Sequence, residues 1–173
     1  WNFGASTDPT DRAVGGLSTT VNGGTRCVSL MTALHNDADK AIDRLTLSYD
    51  IEKYRNGANA AGFDVQLYYS YDGSEWINAG NDFKTHFAPD GATAGETVVP
   101  ISTSAIGPRT LMVDVKAGSD IYLAWNISVA TGATPDKAQG LAIDNVSVSA
   151  SFASADSHYI YVENATGAAG MTL

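Results

Sequence analysis

The sequence predicts an all-β fold, a two-sheet antiparallel β-sandwich of the jelly-roll type. Three observations carry that expectation. Apolar residues recur with period two, turn-forming residues crowd the breaks between them, and no segment shows the apolar stripe of a helix. The chain has 173 residues, 17 of them glycine and 8 tyrosine, with 17% charged. That length suits one domain with a sizeable core.

Residues 1–24 are rich in Gly, Thr, Asp and Asn, with weak strand potential around 17–21. A first clear strand is expected over 25–34, followed by turn residues at 35–39. The stretch 42–54 sets Leu45, Leu47, Tyr49 and Ile51 on one face against Arg44, Thr46, Ser48, Asp50 and Glu52 on the other. This is the pattern of a half-buried antiparallel strand. Asn56-Gly57-Ala58-Asn59 ends it. Residues 63–70 alternate again, Phe63, Val65, Leu67 and Tyr69 against Asp64, Gln66, Tyr68 and Ser70. Tyr71-Asp72-Gly73-Ser74 then reads as a tight hairpin turn, because Asp-Gly supplies the positive φ such a turn requires. Its returning strand is expected over 76–79.

Residues 80–97 are expected to form a long loop, with Pro89-Asp90-Gly91 as a turn signal. Short strands follow near 97–101, 110–115 and 120–127. A loop over 131–138 precedes a closing strand over 141–152. The face Ile121-Leu123-Trp125-Ile127 places Trp125 in the core. The drift to small residues over 148–155 puts a boundary near 155. Residues 1–155 are then the sandwich domain, and 156–173 a linker with the first strand of a following module or C-terminal extension.

Nineteen acidic residues against ten basic ones give a formal charge of −9. A nucleic-acid backbone needs a basic face, so that partner is disfavoured, as are anionic membranes and acidic polysaccharides. Neutral glycans or divalent cations fit better. Cys27 is the single cysteine, which leaves no internal disulfide; its apolar surroundings Val28, Leu30 and Met31 lead us to expect a buried structural thiol. No apolar run of about 18 residues or more is present, so no membrane-spanning helix is expected. The opening Trp1-Asn2-Phe3-Gly4, in mid-pattern, points to a mature or excised piece whose targeting segment lies elsewhere.

His35, His86 and His158 lack zinc-ligand spacing, and neither a nucleophile elbow nor a phosphate-cradling loop occurs. Glycosidase chemistry needs only two carboxylates, and Glu52, Glu75, Glu96 and Glu163 are available. Glu52, three residues before Arg55, is either half of a surface ion pair or part of a ligand-contacting pair. With no catalytic motif, a non-enzyme is expected. The aromatics give the better lead. Tyr54, Tyr68, Tyr71 and Trp76 lie on or beside strands where some rings must face water. A flat exposed ring is what the C–H face of a sugar packs on; the alternative is an ordinary core or cross-strand pair, as for Trp76 with Tyr69.

Asp144 and Asn145 interrupt the closing strand where Val or Ile is expected. Asp144 can be a calcium ligand, a structural polar group bonded to an arginine or backbone amide, or a ligand contact. Without an Asp-x-Asp-x-Asp-Gly loop, structural use is preferred.

An ordered set of motifs resembles a β-sandwich module of bacterial secreted multidomain proteins. It comprises Asn2-Phe3-Gly4, Asp11-Arg12-Ala13, Tyr49 through Arg55, the Asp-Gly hairpin with Trp76, Asp82-Phe83, Leu123-Ala124-Trp125 and Ala142-Ile143-Asp144-Asn145-Val146-Ser147-Val148. Relative to that family, Tyr54 replaces a Trp, Ala124 an Arg and Asn145 a second Asp. The closing strand also resembles that of calcium-containing jelly-roll carbohydrate-binding modules, which implies Asp144, with Asp11, as calcium ligands. Residues 158–173 are similar to the opening of starch-binding-type modules in surface proteins of gut Bacteroidetes.

Together these resemblances imply an extracellular or cell-surface accessory module in bacterial glycan utilisation. Its partner is a neutral polysaccharide or the neighbouring domains of the same polypeptide, and its candidate binding residues are Glu52, Tyr54, Arg55, Tyr68, Tyr71 and Trp76. The alternatives are a structural spacer or assembly domain without its own ligand, and a glycoside-active domain using a carboxylate pair. Binding requires exposed rings beside polar groups on one sheet face. A spacer requires those rings packed away, and catalysis two carboxylates roughly 5–10 Å apart in a cleft.

Overall fold

The structure, a computed structural model, describes residues 1–8, 10–19, 27–91 and 95–153. The extension expected over 156–173 lies outside them. Ten strands are present among the described residues: β1 (Asn2–Phe3), β2 (Ala13–Leu17), β3 (Val28–His35), β4 (Ile42–Arg55), β5 (Phe63–Ser70), β6 (Ile77–Asn78), β7 (Lys84–Phe87), β8 (Ser102–Val115), β9 (Asp120–Val129) and β10 (Gly140–Phe152). All pairings are antiparallel. One sheet has the order β1-β2-β10-β4-β8. The other runs β3-β9-β5, with β6 and β7 sharing the far side of β5. The all-β, two-sheet sandwich expected from the period-two pattern is the architecture found.

The two sheets face each other through the alternating apolar sets. Leu45, Leu47, Tyr49 and Ile51 of β4 meet Phe63, Val65 and Leu67 of β5 and Ile121, Leu123, Trp125 and Ile127 of β9 in one core. Trp125 is buried there and meets Tyr49 edge-on, with ring centroids 5.6 Å apart. Burial pushes the Tyr49 phenol up to about 12, as expected for a hydroxyl whose anion would lose its water.

Three breaks in strand regularity explain where simple alternation fails. In β10 the register with β4 steps from Asp144↔Asp50 to Ser147↔Ser48, one residue extra on β10. Asn145 takes φ +50° there, the left-handed conformation that Asn tolerates better than most residues. The bulge reverses the strand's phase: Leu141 and Ile143 point inward before it, Val148 after it. In β8 a second bulge lies opposite Leu47 and Tyr49, which pair with Arg109 and Ile106. It contains Pro108, acceptable because β8 is an edge strand and a bulge needs no ladder donor at that position. At β2, a Cβ on Gly15 would stand 2.0 Å from the Leu141 carbonyl oxygen, so only glycine lets the two strands approach this closely.

Several expectations are corrected. The segment taken as one loop over 80–97 contains a 3-10 turn at Asn81–Phe83 and β7, which adds to the lower half of β5. The strand expected near 97–101 is absent, and pairing begins instead at Ser102. Strand potential near 17–21 is realised earlier, as β2. Cys27 is exposed rather than buried, because it precedes β3, an edge strand of its sheet. Among the described residues no helix is long and apolar enough to cross a membrane.

Candidate functional site

On the β3-β9-β5 sheet, the face turned away from the core carries Ser29, Met31 and Ala33 of β3, Tyr122, Ala124 and Asn126 of β9, and Gln66, Tyr68 and Ser70 of β5. Register brings these into rows across the strands. Met31, Ala124 and Tyr68 stand abreast, and Ser29, Asn126 and Gln66 form the next row. Rows two residues apart along a strand are separated by about 7 Å. One row is therefore apolar or aromatic and its neighbour is polar.

A groove of about 280 Å³ lies on this face, lined by Ser29, Met31, Tyr68, Trp76, Ala124 and Asn126. Ala124 is buried at its floor; its single methyl group leaves the depth that a longer side chain would fill. Tyr68 and Trp76 are half-buried and Met31 is exposed. No charged side chain lines the groove.

The hairpin after β5 sets the position of Trp76. Asp72 accepts the backbone N–H groups of Glu75 and Ser74, each at 2.8 Å, and the Ser70 hydroxyl at 2.9 Å. These bonds hold its carboxyl well below the usual carboxylate range, since each stabilises the anion. Trp76 follows directly and leads into β6, where Asn78 pairs with Tyr68. Beyond β6, Gln66 donates to the carbonyls of Gly80 (3.1 Å) and Leu67 (3.0 Å), which ties the returning chain to the sheet. Asn126 donates to the Ser29 hydroxyl oxygen at 2.9 Å, so the polar edge of the groove is pre-arranged across two strands.

Of the six binding residues read from the sequence, only Tyr68 and Trp76 line this groove. Tyr54 does not present its ring to water. It is 2% exposed, stacked on Phe3 of β1 at 4.8 Å between centroids, and its hydroxyl donates to Glu52 Oε2 at 2.6 Å. Glu52 is likewise buried, at 7% exposure. Burial pushes its carboxyl above the usual range; the Tyr54 bond pulls the other way, and the charges of Asp144, Asp11 and Asp50 push it up further. Both residues lie on the outer face of the other sheet, where Tyr54 clusters with Phe3, Ala13 and Ala142.

Arg55 points to the opposite side of the same strand, where it donates to the Ala138 carbonyl at 3.1 Å and pairs with Glu96 at 3.9 Å. The Glu52–Arg55 pair is therefore not formed, since side chains three residues apart along a continuous strand lie on opposite faces. Tyr71 is exposed but belongs to another place. Its ring meets Tyr69 edge-on at 5.7 Å, and its hydroxyl accepts the Asp114 N–H of β8 at 3.0 Å.

Asp144 is half-buried at the β10 bulge. Its Oδ1 accepts the Asn145 N–H at 2.7 Å, and the Asn145 amide donates to Asp50 at 2.8 Å. Asp144 is thus bonded to a backbone amide, and Asp11 is exposed. Among the described residues no three His, Cys, Asp or Glu side chains gather as a metal-binding group. The groove residues that sequence reasoning missed are Ser29, Met31, Ala124 and Asn126. They come from strands about 40 to 95 positions away from Tyr68 and Trp76 or from one another, and only the register aligns them.

Compared with known proteins, the chain matches no family model, no curated protein and no solved structure.

Proposed function

We propose that this chain is a non-catalytic accessory module of a secreted or cell-surface bacterial glycan-utilisation protein, and that it binds neutral carbohydrate on the outer face of the β3-β9-β5 sheet. The observation that carries the reading is the pairing of Tyr68 and Trp76 with Asn126 and Ser29 around one uncharged groove. A sugar ring has an apolar C–H face and a rim of hydroxyls. An aromatic row beside a donor–acceptor row matches both at once. The formal charge of −9 disfavours an anionic glycan.

The groove lining holds no carboxylate. Glu52, the residue named for a glycoside-active reading, sits on the other sheet, bonded to Tyr54, and does not line this groove. A spacer without a ligand of its own is the competing reading, supported by Tyr54 being packed away in the manner a spacer requires.

The test is affinity electrophoresis and calorimetry of the chain against a panel of neutral polysaccharides, with Trp76→Ala and Tyr68→Ala as variants. Retention on at least one glycan is expected, with each variant weakening it about tenfold or more, as loss of a central aromatic anchor does. Retention that neither substitution changes would move the site off this face. No retention on any neutral glycan would leave the spacer reading standing.

A further inference from the structure

We infer that the groove takes a chain of at least two sugar units laid across the strands, and that the Asn126–Ser29 pair sets which sugar is accepted. This rests on the carbohydrate reading above and extends it to ligand length and stereochemistry. The direction follows from the register: Met31, Ala124 and Tyr68 stand abreast on three neighbouring strands, and Trp76 lies beyond Tyr68 next to β6. Three strands at 4.7–4.9 Å spacing make a floor about 10 Å long, room for roughly two rings end to end. One ring packs on Tyr68 and Trp76. The next lies over the Ala124 floor with Met31, 67% exposed, as its apolar wall.

The second ring is the one whose hydroxyls are read. Asn126 and Ser29 lie beside Ala124 and Met31 one row along, with a single hydrogen bond between them. An amide and a hydroxyl offer three donor protons, of which that bond uses one. Whichever way the amide is turned, the pair keeps donors and acceptors for a ligand. Gln66, third in the row, is already committed to the Gly80 and Leu67 carbonyls. The free donors and acceptors of this polar row therefore lie under the far ring, on the β3 and β9 side. A hydroxyl of the wrong orientation leaves the amide unpaired on ligand binding, and a site built to bond a hydroxyl discriminates more sharply than an apolar pocket does.

The experiment is calorimetry with neutral gluco-, manno- and galacto-oligosaccharides of one to six units, on wild type, Asn126→Ala, Ser29→Ala and Met31→Ala. Thermal melts accompany each variant to confirm folding. Affinity is expected to rise about tenfold or more from one unit to two, and little beyond. Asn126→Ala and Ser29→Ala are expected to reduce the preference between epimers about tenfold. Met31→Ala is expected to weaken the two-unit ligand more than the monosaccharide.

If the wild type binds, Trp76→Ala abolishes binding, and both polar variants keep the epimer ratio, this inference is overturned while the groove stands. A wild-type affinity equal for one unit and two overturns the cross-strand placement. Failure of the wild type to bind any sugar in the panel or any neutral polysaccharide overturns the reading beneath both.

Discussion

Glu52 and Tyr54 lie on the outer face of a sheet yet are nearly inaccessible; Phe3 stacks on the Tyr54 ring, and the Tyr54 hydroxyl holds Glu52. The Glu52 carboxyl keeps one strong partner, the Tyr54 hydroxyl at 2.6 Å, and faces Asp144, Asp11 and Asp50. Its folded-state value is raised, so between the unfolded and folded values the folded chain binds more protons than the unfolded one. Glu52 therefore favours folding below its unfolded value near 4.3. That contribution is lost as pH rises through the folded value, and at neutral pH the charge is a net cost. Glu52→Gln retains an acceptor for Tyr54 and removes the like-charge repulsion. A melting-temperature gain of roughly 2–4 °C at pH 7–8, for up to about 1 kcal/mol in a chain of this size, is expected, shrinking toward zero near pH 4. A difference that does not vary with pH would assign the effect to packing instead. Asn59 acts in the opposite sense: its amide donates to the carbonyls of Thr134 and Asp136 and to Asp136 Oδ1, at 2.8–2.9 Å. The Asn56-to-Asn59 break is thus also a clasp on the loop before β10, a function its sequence neighbours do not announce.

Among the elements, β10 carries the most informative irregularity. Its apolar run is broken by Asp144-Asn145 because the strand needs one residue in the left-handed region there, with Asn145 at φ +50°, and an amide to reach Asp50. Asn145→Gly should hold stability within about 0.5 kcal/mol, trading the Asp50 bond for an unstrained backbone. Asn145→Val puts a β-branched residue where it is a genuine outlier, at a cost of about 1–3 kcal/mol. Urea midpoints of the two variants check this. Equal midpoints for Val and wild type would mean that the bulge relocates along the strand.

The elements legible in the sequence are those with sustained alternation or a long apolar run. They are β4 and β5, whose bounds follow from Leu45 through Ile51 and Phe63 through Tyr69, and β9 and β10, expected over 120–127 and 141–152 and found at Asp120–Val129 and Gly140–Phe152. The first half of β8 was not legible, since Gly107-Pro108 and a run of Ser, Thr and Ala hide an edge strand that buries little there. Nor was β7, where only Phe87 of four residues is buried.

At the scale of the whole molecule, legibility falls further, because the site is assembled by register between distant strands. Tyr68 and Trp76 can be named from the sequence: one hairpin places them on the same face. The partners Met31, Ala124 and Asn126 look like ordinary strand residues until β3 and β9 are aligned. The burial of Tyr54 depends on Phe3, some 50 positions earlier.

The same scale holds the separation of charge from binding. The chain carries −9 overall, but the groove lining is uncharged. Added salt screens the self-repulsion of the fold and has little to act on at the groove. Raising sodium chloride from about 20 mM to about 300 mM should therefore increase the melting temperature while leaving the glycan Kd within about twofold, the Debye length falling from roughly 20 Å to under 10 Å across that range. The ion pair of Lys84 with Asp64 at 2.9 Å is exposed at the lysine end and belongs to the β5–β7 edge rather than to the groove lining. Surface pairs of that kind contribute about 0–1 kcal/mol, too little to reverse the stability trend. Calorimetric titrations and melts at matched salt concentrations measure both quantities on one preparation. A Kd that shifts tenfold or more with salt would require a charged ligand, and with it a binding surface other than the Tyr68–Trp76 groove.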